Sequence, residues 1–253
     1  MILPLSELIS RAVEQTLEDR IAISFSGGLD STVIAAIAKR HAQVELFTAG
    51  VPGSDDLEYA EKAASELGLP LHKITIDHDK ALSAYARIHS ILPKDFLTLE
   101  ILVPVYHVAE EAAKKGHHAV LFGSAAEELF VGYERYYQYR DEGKDVDSIL
   151  REEFRTLPKR DMAWVKKVCR QFGLEARFPL YNRDLAETVF SVPIEERMDD
   201  RELKKGLLRE AGKVLGAPAA VLKRKKRAMQ YGSGIHKLLL KSSDEINRHY
   251  PAS

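Results

Sequence analysis

The stretch IAISFSGGLDS, residues 21–31, decides how the rest of the chain is read. Ile21–Phe25 is mostly apolar and reads as a buried strand. Ser26-Gly27-Gly28-Leu29-Asp30 is a glycine-rich turn, and a helix begins at about Ser31 and continues through Thr32, Val33, Ile34 and Ala35. A strand that stops at paired glycines and hands over to a helix leaves several backbone N–H groups pointing one way. The positive end of the helix lies behind them, so the turn suits a phosphate-type anion. Gly27 and Gly28 let the backbone approach that anion closely. Ser26 and Ser31 add hydroxyls. Asp30 places a carboxylate beside the anion, which is sensible chemistry where a divalent metal bridges the two. A plain capped turn would also carry Gly-Gly and an Asp or Ser; the whole string is more specific than either feature.

Outward from this stretch, the elements alternate. Residues 5–18 form an amphipathic helix with Leu5, Leu8, Ile9, Ala12, Val13 and Leu17 on one side. Val44–Gly50 is a second buried strand, nearly all apolar, as parallel strands tend to be. The turn-rich loop 51–56 leads to a helix carrying Ala60, Ala63, Ala64 and Leu67 and stopping at Gly68. Leu71–Ile76 is a third strand, 79–91 and 100–115 are helices, and His118–Phe122 is a fourth strand ending at Gly123. This is the pattern of a doubly wound, mostly parallel α/β sheet, in which ligands sit beyond the carboxyl ends of the strands. An aromatic, charged helix follows over Leu129–Arg140. From about residue 145 only helices and irregular joins are expected, among them 146–157, 159–172, 183–190, 201–215 and 235–247. The division is thus an α/β core over 1–140 and a helical C-terminal lobe over 141–253.

Composition narrows the class. The chain has 253 residues, 45% of them hydrophobic, enough for one large domain or a domain with a helical annex. A net charge of −1 gives no argument for nucleic acid or an acidic membrane surface. The single cysteine, Cys169, excludes a disulfide framework or a multi-thiolate zinc site within the chain and reads as a core residue. The opening MILPLSELIS has neither a basic region nor a long apolar run, so the expectation is a soluble cytoplasmic protein.

The string at 26–31 resembles the PP-loop of the ATP pyrophosphatases, which cleave ATP between the α and β phosphates. It is not a Walker A loop, because the terminal Gly-Lys-Ser/Thr is absent. Gly123-Ser-Ala-Ala-Glu-Glu-Leu-Phe-Val-Gly-Tyr133 resembles the Gly-Glu-Gly-Ser/Ala-Asp-Glu-Leu-Phe-Gly-Gly-Tyr signature of the synthetase domain of asparagine synthetases. Glu175-Ala-Arg-Phe-Pro-Leu-Tyr-Asn182 is similar to that family's Glu-Ala-Arg-Val-Pro-Phe-Leu-Asp. Lys205-Gly-Leu-Leu-Arg209 and Arg227-Ala-Met-Gln-Tyr-Gly-Ser-Gly234 fit as well. The resemblance runs from about residue 20 to 236. It implies a HUP/PP-loop type fold and an amide ligase of amino-acid biosynthesis. A carboxylate, aspartate or a related acid, attacks the α-phosphate of ATP to give an acyl-adenylate and magnesium pyrophosphate. Ammonia or another amine then displaces AMP. Beta-lactam synthetases share the ancestry.

The resemblance also implies roles. Ser26, Gly27, Gly28, Asp30 and Ser31 hold pyrophosphate and Mg2+. The main chain near Phe25, Ala49 and Gly123 faces adenine and ribose. Lys205 neutralises charge on the α-phosphate, although Arg201, Lys205 and Arg209 at i, i+4 and i+8 would also make an ordinary exposed basic stripe. Glu127 stands where the family has its second metal carboxylate, an Asp. Ser124 stands at the glutamate assigned to amination, and serine is no general base at neutral pH without help. Asn182 replaces an Asp. Glu175 and Arg177 read as a surface ion pair, and the resemblance implies that they shape the substrate side or brace the lobe contact. The run 223–227 flanks the phosphate site or is solvated, 230–234 is a lid or a plain loop, and the tyrosines at 133, 136, 137 and 139 are packing residues.

No glutaminase domain is expected, since the chain starts Met-Ile-Leu and lacks the N-terminal cysteine nucleophile. A separate glutaminase subunit, free ammonia and self-association stay open as partners, while nucleic acid and membrane are not expected. Two other functions remain open: a nucleotide-binding regulator that has lost catalysis, and a PP-loop tRNA-modifying enzyme, against which the single cysteine argues.

Overall fold

The computed structural model describes residues 2–225, 229–241 and 246. Helix α1 (Ile2–Glu14) precedes β1 (Arg20–Ser24), α2 (Leu29–Ala38), β2 (Gln43–Gly50), α3 (Asp55–Leu67) and β3 (Leu71–Thr75). Then come α4 (His78–Ile91), α5 (Phe96–Lys114), β4 (Ala119–Leu121), α6 (Ala126–Leu129), α7 (Glu134–Asp141), α8 (Val146–Thr156) and α9 (Asp161–Arg170). The chain continues with β5 (Glu175–Arg177), α10 (Arg183–Phe190), α11 (Ile194–Arg197), α12 (Gly206–Leu215), α13 (Ala219–Leu222), α14 (Met229–Gly232) and α15 (Ile235–Leu240).

The five strands form one parallel sheet in the order β3-β2-β1-β4-β5. The doubly wound α/β expectation holds. Ile21, Ala22 and Ile23 of β1 are fully buried, as a central strand covered on both faces requires. Helix α2 is buried nearly all round, with Val33 through Ala38 at most 1% exposed. Its neighbours cover it: α1, α3, α12 and α13 pack against it. The strand order reverses between β1 and β4, the place where doubly wound sheets open a crevice at their carboxyl ends. The PP-loop leaves β1 there, and the segment 122–125 leaves β4 there.

Three expectations are corrected. Residues 175–177, inside the half read as all helical, form β5 and extend the sheet beside β4. Three residues are too short a run to stand out by periodicity. The helix expected over Leu129–Arg140 is two pieces, α6 and α7, broken at Val131, which takes φ 55°. The helix expected over 201–215 starts only at Gly206, because Lys204 and Lys205 both adopt φ 57° in the left-handed region. Arg201, Lys205 and Arg209 are therefore not a helical stripe. Arg201 is exposed and pairs with Glu134 and Asp141, whereas Lys205 and Arg209 are buried. Among the lesser expectations, Asn182 caps α10 by accepting from the Leu185 N–H at 3.1 Å. Cys169 is a core residue whose burial pushes its thiol up to about 12. Tyr136 and Tyr137 are fully buried packing residues. Lys226, Arg227 and Ala228, part of the basic run and of the 227–234 motif, lie outside the described residues, as do 242–245 and 247 of the helix expected over 235–247. No helix among the described residues is long and apolar enough to cross a membrane.

Gly27 shows how tightly the turn is built in. Its φ is +64°, and a Cβ there would come within 2.5 Å of the Tyr59 carbonyl carbon and 2.6 Å of the Ala60 nitrogen, both backbone atoms of α3. Neither can yield without moving the helix. Gly27→Ala is expected to cost about 3 kcal/mol or more, read as a loss of stability in urea unfolding; a change below about 1 kcal/mol would contradict this packing.

Candidate active site at the switch point of the sheet

The centre of the site is one ammonium group. Lys205 Nζ donates to both oxygens of Asp30 at 2.7 Å and to Glu127 Oε1 at 2.8 Å. Lys205 is 4% exposed. Burial pulls its pKa down, but Asp30 and Glu127 outweigh it and hold the group above the usual lysine range, so it stays charged. Asp30 lies in the first turn of α2 and Glu127 in α6, after β4. The two loops beside the switch point thus each send in a carboxylate, and the loop before α12 sends the cation between them.

Small residues let the three converge. A Cβ on Gly132 would stand 1.7 Å from Glu127 Oε2 and 2.4 Å from Lys205 Cε. A Cβ on Gly123 would reach Asp30 Cβ at 3.0 Å and the Ser31 nitrogen at 3.5 Å, so the backbone after β4 lies directly against the PP-loop. Among the described residues, four that are not glycine take positive φ: Ala125, Val131, Lys204 and Lys205. All flank Glu127 or carry the lysine, and backbone of this kind costs of order 1–3 kcal/mol per residue unless surroundings enforce it.

The anion cradle is present but partly closed on itself. Gly28 is the N-cap residue of α2 and no side chain caps the helix, whose first amides have no partner within it. Ser26 Oγ accepts from the Gly28 N–H at 3.4 Å, and Ser31 Oγ donates to the Gly28 carbonyl at 3.3 Å. Phe25 is buried and donates its N–H to the Phe47 carbonyl at 2.8 Å. Ala49 sits in the last turn of the β2 ladder, paired with Ile74. Ser124 is partly exposed on the segment after β4.

Other groups were not singled out by sequence reading. Arg224 donates to the Ser26 carbonyl at 3.1 Å, pairs with Asp56 at 3.4 Å, and lies over the Tyr59 ring at 3.7 Å. It came to notice only within a run of basic residues, where nothing marks which one turns inward. Gly232 lies against Asp56, and the Ser233 carbonyl accepts from Val51 N–H at 2.8 Å, so the 230–234 segment is docked on the loop after β2. Next to it, His236 meets the fully buried Glu100 at 2.9 Å. Arg177 binds Glu175, Glu18 and the Thr16 carbonyl, bracing β5 against the end of α1.

The chain matches the asparagine synthase family over residues 5–163 and 140–250. The chain belongs to that family. Among similar proteins, the putative asparagine synthetase (glutamine-hydrolyzing) 1 of Methanocaldococcus jannaschii is 28% identical over 257 residues, 88% of this chain and 47% of its own. Asparagine synthetase B (glutamine-hydrolyzing) of Escherichia coli is 27% identical over 249 residues, 88% of this chain and 45% of its own. The chain spans about half the length of these curated relatives. The solved NMN synthetase of Francisella tularensis matches with a TM-score of 0.52 at 14% identity, covering 91% of this chain and 77% of its own, which shows the shared fold. Within the asparagine synthase signature, Glu127 and Gly132 are two of the residues that meet around Lys205.

The same signature carries Glu128, which is not among the carboxylates that bond Lys205. It is 3% exposed, and burial, with Glu127, Asp161 and Glu153 nearby, pushes its pKa up to about 7. The unfolded carboxyl, at about 4.5, ionises first as pH rises. The folded protein then holds a proton that the unfolded chain has lost, so this group reduces stability progressively between pH 4.5 and 7. Glu128→Gln is expected to gain relative to the wild type across that interval, by at most ~3 kcal/mol at pH 8. Parallel urea curves for the two proteins from pH 5 to 8 would contradict it.

Proposed function

We propose that the chain is an ATP-dependent, AMP- and pyrophosphate-forming ligase that adenylates a carboxylate for attack by ammonia or another amine. The single observation that carries this reading is the buried Lys205 ammonium shared by Asp30 and Glu127 beside the PP-loop. In this reading residues 1–140 together with β5 form the nucleotide-binding core, and the helical remainder of 141–253 contributes Lys205 to the site.

The chemistry follows from the parts. The carboxylate oxygen of the substrate attacks the α-phosphorus, and the bond to the bridging α–β oxygen breaks. Charge then grows on the departing pyrophosphate and stays on the α-phosphate. The amides of Gly27, Gly28 and the start of α2 suit the first, and Lys205 suits the second. Lys205 has three donor hydrogens, so it can keep one carboxylate while turning to a phosphate oxygen. The donor set fits Mg2+: Asp30 and Glu127 are hard oxygen ligands that converge on one cation position. When bound, the ion would neutralise the pyrophosphate charge as it develops.

Aspartate is the acid that the relatives' names suggest, and ammonia could come from solution or from a glutaminase. Ser124 lacks a group able to take a proton from the amine, so the adenylating half of the reaction is the better supported half.

A pyrophosphate-release screen with Mg-ATP across amino acids and related carboxylates tests the proposal. At least one acid should release pyrophosphate and AMP, and Lys205→Ala should lower that rate by about 100-fold or more. Silence across a broad set of acids, or a Lys205→Ala rate within twofold of wild type, would sink it.

A further inference from the structure

Arg209 is buried at 6% exposure on the first turns of α12, and its guanidinium is held by main-chain oxygens. It donates instead to backbone carbonyls from two separate segments. Nε donates to Lys204 at 2.6 Å, and Nη2 donates to Leu203. Nη1 donates to Leu222 at 2.7 Å, and Nη2 also donates to Arg224 at 3.0 Å. The first pair of carbonyls immediately precedes Lys205 in the left-handed stretch 204–205. The second pair holds the residue whose own side chain bonds the Ser26 carbonyl in the PP-loop.

Three further contacts show that the 199–205 segment is built from outside. The Tyr137 hydroxyl donates to the Asp200 carbonyl at 3.1 Å, Lys204 pairs with Glu134 at 2.8 Å, and Gly206 leaves room for Asp199. None of them reaches the PP-loop. Arg209 is the one side chain among these that ties the lysine's loop to the strap on the anion cradle.

We propose that Arg209 is a positioning residue that couples Lys205 to the PP-loop through Arg224. A planar fork with five donors can serve several carbonyls on two sides at once, which a lysine ammonium cannot. Fixing the carbonyls of 203 and 204 fixes the left-handed backbone from which Lys205 enters. Fixing the carbonyl of 224 seats the Arg224 guanidinium between Ser26, Asp56 and Tyr59. The cation and the cradle that face the nucleotide therefore share one anchor. The proposal rests on the nucleotide-binding reading above for its consequence, but the coupling itself is a property of the free protein.

Arg209→Lys retains the charge and most of the packing, and it is the variant to test. The first readout is amide hydrogen exchange without ligand. Faster exchange is expected both at residues 203–206 and at residues 26–30, with β3 and α4 unchanged. Faster exchange at 203–206 alone overturns the coupling. The second readout is calorimetric titration with Mg-ATP at a temperature where wild type and variant are both folded. Affinity is expected to fall about tenfold, and adding Arg224→Ala to Arg209→Lys should cost little beyond the weaker single variant. An unchanged affinity with a lowered Tm, or fully additive losses, overturns the proposal. If wild-type protein binds no Mg-ATP, the ligase reading fails, and the exchange pattern alone decides the role of Arg209.

Discussion

The fold depends on keeping one ammonium ion charged in a place almost closed to water. Lys205 is separated from Asp30 by 175 positions and from Glu127 by 78, yet all three meet within hydrogen-bond distance. Burial of a lone cation is costly, and removing one partner of a buried pair typically costs about 3–5 kcal/mol. Without Lys205, the Asp30 and Glu127 carboxylates would face each other. Without either carboxylate, the cation would lose half its compensation. The parallel sheet makes the meeting possible, because β1 and β4 are neighbours and both deliver their following loops to the same edge.

The loops around this triangle do not rest in relaxed backbone. Positive φ at Ala125, Val131, Lys204 and Lys205 is unusual for residues with a Cβ, and most unusual for a β-branched valine. Such conformations persist where surrounding contacts over-determine them. Here those contacts are identifiable: Gly132 packed beneath Glu127 and Lys205, Tyr137 on the Asp200 carbonyl, and Arg209 on the carbonyls of 203 and 204. On the proposed function this is a pre-set socket, in which a nucleotide would meet charges already in position and little reorganisation would be left for the moment of reaction.

Much of this was legible in the sequence, for reasons that can be named. Strands β1 and β2 are mostly apolar and lie between turn signals, and the string at 26–31 is more specific than a plain capped turn, so the sheet and the cradle could be read directly. Lys205 was recognisable only through the resemblance of its surroundings. Helical periodicity pointed the wrong way, grouping it with Arg201 and Arg209 on a solvated stripe. Periodicity cannot see that Lys204 and Lys205 leave the helical region, because lysine is a good helix former and the reason for the turn lies in distant residues. The strand β5 was missed because three residues carry no pattern. Arg209 was hidden for a related reason: a buried arginine satisfied by backbone carbonyls leaves no complementary acid in the sequence to announce it. Arg224, whose acid Asp56 lies 168 positions away, was hidden within a run of basic residues.

The family places the chain among proteins named for asparagine synthesis, while Ser124 and the partial length relative to those proteins leave the amine step to experiment. The account therefore stands or falls on which bond of ATP is broken and by what. The direct measurement uses the acid that triggers turnover, labelled with 18O in its carboxylate, and follows the products by 31P NMR and mass spectrometry. Attack on the α-phosphate through an acyl-adenylate puts one 18O into AMP and leaves pyrophosphate unlabelled. Label-free AMP, or ADP and inorganic phosphate in place of AMP and pyrophosphate, would contradict the role given to Lys205 and the PP-loop.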